Sequence, residues 1–140
     1  MSPGATSVLF LCIGNSCRSQ MAEGLLRHLG GDRFDVYSAG IVESYLRQET
    51  IDSMREIGID ISRQFSKKAD IYTGRTFDIV VTTCDEAKEA CPLFPGAGRT
   101  MHWGVPDPVG KGPAAYRAAR AQLKSLIERE LLGRGVEGGR

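Results

Sequence analysis

What this chain has little of narrows the reading first. Its longest apolar run, Val8 to Ile13, falls far short of the roughly 20 residues that a membrane-spanning helix needs. The formal net charge is only +1 and the basic residues are scattered, which removes the case for nucleic acid or an anionic membrane as partner. There are two histidines, His28 and His102, each isolated, and a single tryptophan, Trp103. The N-terminus lacks the basic flank and small-residue cleavage site of a signal peptide, so a cytoplasmic location is expected, where thiols stay reduced. Four cysteines in that setting point to catalysis or metal binding rather than structural disulfides. Their spacings, Cys12-x4-Cys17 and Cys84-x6-Cys91, match no common zinc site. At 140 residues the chain makes one domain, 1–140, able to bury about two-thirds of its unfolded surface. Tails at 1–6 and 133–140 are expected to be disordered.

The informative segment is Cys12-Ile13-Gly14-Asn15-Ser16-Cys17-Arg18-Ser19. It follows the buried-strand pattern Ser7 to Leu11 and precedes a helical pattern through Met21, Leu25, Leu26 and Leu29. A strand, a tight loop and a helix N-terminus thus meet at Cys12, and the loop amides form a cup for an oxyanion. Gly14 allows close backbone approach and Asn15 tolerates a left-handed turn. Arg18 offers a planar fork to two oxygens of a tetrahedral anion. Ser19 can donate a hydrogen bond to a Cys12 thiolate. Ile13, Gly14, Asn15, Ser16, Cys17, Arg18 and Ser19 are therefore the candidate oxyanion-binding residues, around Cys12 as nucleophile.

Further along, strands and helices alternate. Asp35 to Ala39 reads as a strand closed by Gly40, and Gln48 to Ile57 as a helix ended by Gly58. Phe77 to Thr83 is a buried strand and Arg99 to His102 a weaker one. Pro113 opens a long helix with Tyr116, Leu123, Leu126, Ile127 and Leu131 on its apolar face. Ser62 to Arg75 has no clean period. The alternation argues an α/β fold, a parallel sheet with helices on both faces and ligands beyond the strands' carboxyl ends. Cys12, Cys84 and Asp107 all fall at or just past such ends.

The Cys12 to Ser19 loop resembles the phosphate-binding loop of the low-molecular-weight protein tyrosine phosphatase superfamily, and Val105-Pro106-Asp107-Pro108 resembles that superfamily's Asp-Pro element. The resemblance runs from about Val8 to Leu132. It implies a three-layer α/β/α domain with a four-stranded parallel sheet of flavodoxin-like topology, with Asp107 as general acid. Thr82 to Pro92, containing Cys84 and Cys91, and His102-Trp103-Gly104 look like the corresponding segments of its thioredoxin-coupled arsenate reductases. The tyrosine phosphatases usually carry an aromatic residue after Asp-Pro, and here Val109 stands there, which favours a small inorganic oxyanion.

On that resemblance, Cys12 attacks arsenate, Arg18 clamps it, and Cys84 and Cys91 pass the disulfide on to thioredoxin. The alternatives are a phosphatase that hydrolyses a Cys12-phosphoryl intermediate, with Cys17 protecting Cys12 as a disulfide, or a noncatalytic thiol switch, which leaves Asp107 without a role. No cofactor is required. A structural potassium ion is implied at Asn15, Glu23 and Ser38, with Lys67 near the place of an acidic ligand. His28 is expected at the surface, and His102 and Trp103 are expected to pack the Asp107 loop. If Cys84 and Cys91 flank a helical segment, their α-carbons stand about 10 Å apart, too far for a disulfide, so the segment must unwind on oxidation.

Overall fold

The computed structural model describes residues 4–84 and 96–133. Four parallel strands form one sheet: β1 (Thr6–Cys12), β2 (Phe34–Gly40), β3 (Ile79–Thr82) and β4 (Arg99–His102), in the order β2-β1-β3-β4. Among the described residues three α-helices accompany them, α1 (Arg18–Gly30), α2 (Gln48–Arg55) and α3 (Pro113–Glu130), with short 3-10 turns at Gly31–Arg33 and Ala69–Tyr72. The architecture is the α/β sheet that the alternation of elements predicts.

β1 is central because it is apolar on both sides. Its period of two sends Val8 and Phe10 to one face, into a core with Met21, Leu25, Leu26, Met54, Leu123 and Ile127 from the three helices. Leu9 and Leu11 go to the other face, where they meet Ala39, Ala69, Phe77, Val80, Cys12 and Cys84. Tyr37, Tyr72 and Phe77 cover that second face as a mutually edge-on trio with centroids 5.4–5.9 Å apart.

The structure redraws several element ends. β1 begins at Thr6, paired with Phe34, so Thr6 belongs to the sheet and not to an N-terminal tail. β3 starts at Ile79 and not at Phe77, because Asp78 turns its carboxylate to the start of β1, accepting from Ser7 N–H at 2.8 Å. α2 stops at Arg55; Ile59 N–H then donates back to the Met54 carbonyl around Gly58 at φ +80°, a left-handed helix terminus. In α3, Tyr116, Ala119, Leu123 and Ile127 are buried, while Leu126 and Leu131 pack at the core's edge. The aperiodic stretch 62–75 is mostly irregular, with a lone bridge between Lys68 and Gly40. Cys91 and the rest of the segment expected to carry the redox switch lie outside the described residues. No described helix is long and apolar enough to cross a membrane.

Candidate active site

The site lies where β1 gives way to α1. Asn15 is the single described non-glycine residue with positive φ, at 52°, and it turns the loop back over the end of the strand. Its fully buried side chain is saturated. Nδ2 donates to Ser19 Oγ at 2.8 Å and Ser38 Oγ at 2.9 Å, while Oδ1 accepts from Lys67 N–H at 2.9 Å and Gln20 Nε2 at 3.0 Å. The loop's carbonyls point outward. Cys12, Ile13, Gly14, Asn15 and Ser16 accept hydrogen bonds from Ile41 N–H, Val42 N–H, Ser66 Oγ, Gln20 Nε2 and Thr50 Oγ1 respectively. That orientation leaves the loop's amides for the concave side. α1 has no side-chain cap and no acidic residue in its first turn, so its positive end faces the same space.

Around that space the sequence's candidates come together. A cavity of about 210 Å³ is lined by Cys12, Ile13, Gly14, Ser16, Cys17, Arg18 and Asp107, among others. Cys12 is buried, and its Sγ lies 2.8 Å from Ser19 Oγ. Arg18, also buried, donates from Nη1 to the Val105 carbonyl at 2.9 Å, which ties the Asp107 loop to the loop between β1 and α1. Its Nη2 stands 3.9 Å from Asp107 Oδ2, while Asp107 Oδ1 accepts from Val109 N–H at 3.1 Å. About half of the Asp107 side chain is exposed, so an acid placed there can exchange protons with solvent. Trp103 buttresses this loop: its ring packs 5.9 Å from that of Phe10, and Val105 N–H donates to Thr83. His102 Nδ1 pairs with Thr82 Oγ1 at 2.7 Å, and His28 is exposed.

The cysteines separate by environment. Burial pushes the Cys17 thiol up to about 12, which favours its protonated form at neutral pH. Cys84 is buried in the same cluster as Cys12. Its position follows from Thr83, whose N–H and hydroxyl both donate to the Leu11 carbonyl, at 2.8 and 2.9 Å, one residue before Cys12.

Asn15, Glu23 and Ser38 do meet, but their donors and acceptors serve one another. Ser38 donates to Glu23 Oε1 and accepts from Asn15. Glu23 is further neutralised by Arg27 Nη1 at 2.6 Å and has Lys67 Nζ 3.9 Å away. With two cations on one carboxylate and the Asn15 oxygen taken by Lys67 and Gln20, this trio does not suit a potassium ion. Burial pushes the Lys67 ammonium down from its ordinary value, and Glu23 opposes that shift. A larger cavity, about 620 Å³, opens beside Glu23, Arg27 and Lys67 and contains neither Cys12 nor Asp107 in its walls.

Sequence reasoning missed Gln20, Gln64 and Ser66, which brace the loop, and read Gly40 only as a strand end. A β-carbon on Gly40 would come within 2.7 Å of Asn15 N and 2.8 Å of Ile13 O. Gly40 is thus the floor on which the loop rests. Its position after a strand was the available signal, but the approach of a distant loop leaves no local pattern.

Residues 7–134 match the low molecular weight phosphotyrosine protein phosphatase family. The chain is 41% identical over 122 residues to an arsenate reductase of Staphylococcus epidermidis, covering 87% of this chain and 93% of the relative. An arsenate reductase of Staphylococcus aureus is 40% identical over 88% of this chain and 94% of its own length. Among solved structures, an arsenate reductase in the phosphate binding state superposes with a TM-score of 0.85 at 32% identity, over 93% of this chain and 99% of that one.

Proposed function

The chain belongs to the low molecular weight phosphotyrosine protein phosphatase family, and we propose that within it this protein is an arsenate reductase that passes its electrons through Cys12, Cys84 and Cys91. The observation that carries the reading is the placement of a second buried cysteine, Cys84, in the cluster of the loop nucleophile, Cys12. A phosphatase needs only the first.

In this reading the loop amides and Arg18 hold the arsenate oxygens, and the Cys12 thiolate attacks arsenic. Asp107 protonates the oxygen that departs as water, leaving a covalent Cys12–arsenic adduct. Cys84 then attacks the Cys12 sulfur. The electron pair of the breaking sulfur–arsenic bond goes to arsenic, arsenite leaves, and a Cys12–Cys84 disulfide remains. Attack of Cys91 on Cys84 returns Cys12 as a thiolate, and thioredoxin reduces the resulting Cys84–Cys91 disulfide. The reaction takes place in the cytoplasm, needs no cofactor, and uses no potassium: Lys67 supplies the cation beside Glu23.

A weak phosphatase activity accompanies this chemistry, because a cup built from amides and one guanidinium holds phosphate as it holds arsenate, and a relative of the same fold has been solved in a phosphate binding state. The test runs two assays on one preparation: arsenate-dependent oxidation of NADPH in the presence of thioredoxin and its reductase, and hydrolysis of an aryl phosphate. Fast hydrolysis with no arsenate-dependent oxidation would overturn the reductase reading in favour of a phosphatase.

A further inference from the structure

The cavity over Cys12 has a second guanidinium in its wall. Arg47 lines the same space as Cys12, Arg18, Asp107 and Glu43. It stands at the start of α2, outside the loop motif, and its backbone is fixed by donation of its N–H to the Ser16 carbonyl at 3.3 Å. Its guanidinium lies over the Tyr45 ring, Cζ 5.2 Å from the centroid, which limits the directions in which the fork can turn. Yet Nε is buried and has no hydrogen-bond partner among the described residues. Nε is thus closed off from a ligand in the cavity, and it is the terminal NH2 groups of the fork that an oxyanion there can meet.

Charge indicates which ligand. A thiolate at Cys12 repels a dianion above it, and exposed Glu43 at the rim adds to the repulsion. Against these the α1 terminus contributes about half a unit of positive charge and Arg18 one unit, part of whose fork is already engaged by Val105. Among the described residues, Arg47 is the other cation in the wall.

We propose that Arg47 is a specificity-determining residue of this site, whose guanidinium contacts the outward oxygens of a bound tetrahedral oxyanion and selects the dianion over the monoanion. The inference rests on the oxyanion-binding part of the function proposed above and not on the redox cascade.

Titration calorimetry with inorganic phosphate and with sulfate, on reduced protein, tests it. Phosphate is measured at roughly pH 5 and pH 8.5, on either side of its second ionisation, whereas sulfate stays a dianion at both. Arg47→Gln should weaken phosphate binding at the higher pH, and sulfate binding at both, by roughly tenfold or more. Phosphate binding at the lower pH should fall by less than about threefold. Arg47→Lys, which keeps the charge, should hold the dianions within about threefold of the parent, and Arg47→Met, which keeps an unbranched stem without the charge, takes the place of Arg47→Gln if that variant does not fold. Dianion affinities unchanged in Arg47→Gln, an equal loss for monoanion and dianion, or an equally large loss in Arg47→Lys would each overturn the proposal. Failure of the parent protein to bind either anion would overturn the oxyanion reading itself, and a failed arsenate assay with normal phosphate binding would leave the Arg47 result standing.

Discussion

Cys12 Sγ and Ser19 Oγ lie 2.8 Å apart at the start of a buried hydrogen-bond chain that runs on through Asn15 and Ser38 to Glu23. Asn15 donates to Ser19, which leaves the hydroxyl hydrogen of Ser19 for the sulfur. The same amide donates its other hydrogen to Ser38, so the partner of the Cys12 sulfur is held by a group that is itself held.

Replacing Ser19 by Ala removes the donor that a Cys12 thiolate accepts. A charge-assisted hydrogen bond of this kind is worth about 1.5–3 kcal/mol, so aryl phosphate hydrolysis should slow by roughly tenfold or more. A rate within twofold of the parent would show that the thiolate does not use this contact.

Gly40→Ala tests the floor of the loop. The added methyl would meet backbone atoms of Ile13, Gly14 and Asn15 at 2.7–2.8 Å, and backbone cannot rotate away as a side chain can. The expected result is a loss of about 1–3 kcal/mol in unfolding free energy together with weaker phosphate binding. Thermal melts and phosphate titration measure the two effects, and unaltered values for both would contradict the close approach.

Asp107 should matter to chemistry and little to binding. Its carboxylate is half exposed and only loosely paired with Arg18, at 3.9 Å, so Asp107→Asn should leave phosphate affinity within about threefold. Hydrolysis of a poor leaving group should fall by roughly a hundredfold or more. Steady-state rates with a series of leaving groups check this, since loss of a general acid is felt most by the poorest of them.

Cys12 and Cys84 should separate by assay. Cys12→Ser should abolish both arsenate reduction and aryl phosphate hydrolysis, whereas Cys84→Ser should abolish turnover with arsenate and leave hydrolysis near its parent value. Equal loss of hydrolysis in both variants would remove the division of labour.

Glu56 joins α2 to α3 and gives stability a dependence on acid. Hydrogen bonds from Arg117 and Arg120 hold its carboxyl down to about 2 from an ordinary value of 4.5. Because the folded-state value is depressed, the stabilisation is present above pH 4.5 and disappears as pH falls towards 2. Glu56→Gln should therefore lower the melting temperature at neutral pH, with the two curves converging in acid. A difference that persists unchanged down to pH 2 would assign the effect to packing.

The sequence by itself determined the alternation of strands and helices and the loop between β1 and α1, and it marked Cys12, Arg18 and Ser19 as candidates for oxyanion chemistry. These are legible because each depends on near neighbours: the period of a strand, the conformational tolerance of Asn15, the fixed spacing of a nucleophile and an arginine across one loop. The family resemblance carried the reading beyond that, to Asp107 as an acid, to Cys84 and Cys91 as a redox pair and to a predicted cation site. What only the tertiary structure decided lies between segments far apart in the chain. Gly40 supports the loop because the parallel pairing of β1 with β2 sets it opposite Cys12. Gln64 and Ser66, in a stretch without periodicity, brace Gln20 and Gly14 through individual hydrogen bonds, which leave no repeating pattern to read. Lys67 met Glu23, and Arg47 met the cavity over Cys12, by the same route. Secondary structure follows from local preferences that repeat along the chain, whereas a polar contact across the fold is a single event whose partners are named only when the backbone brings them within about 3 Å.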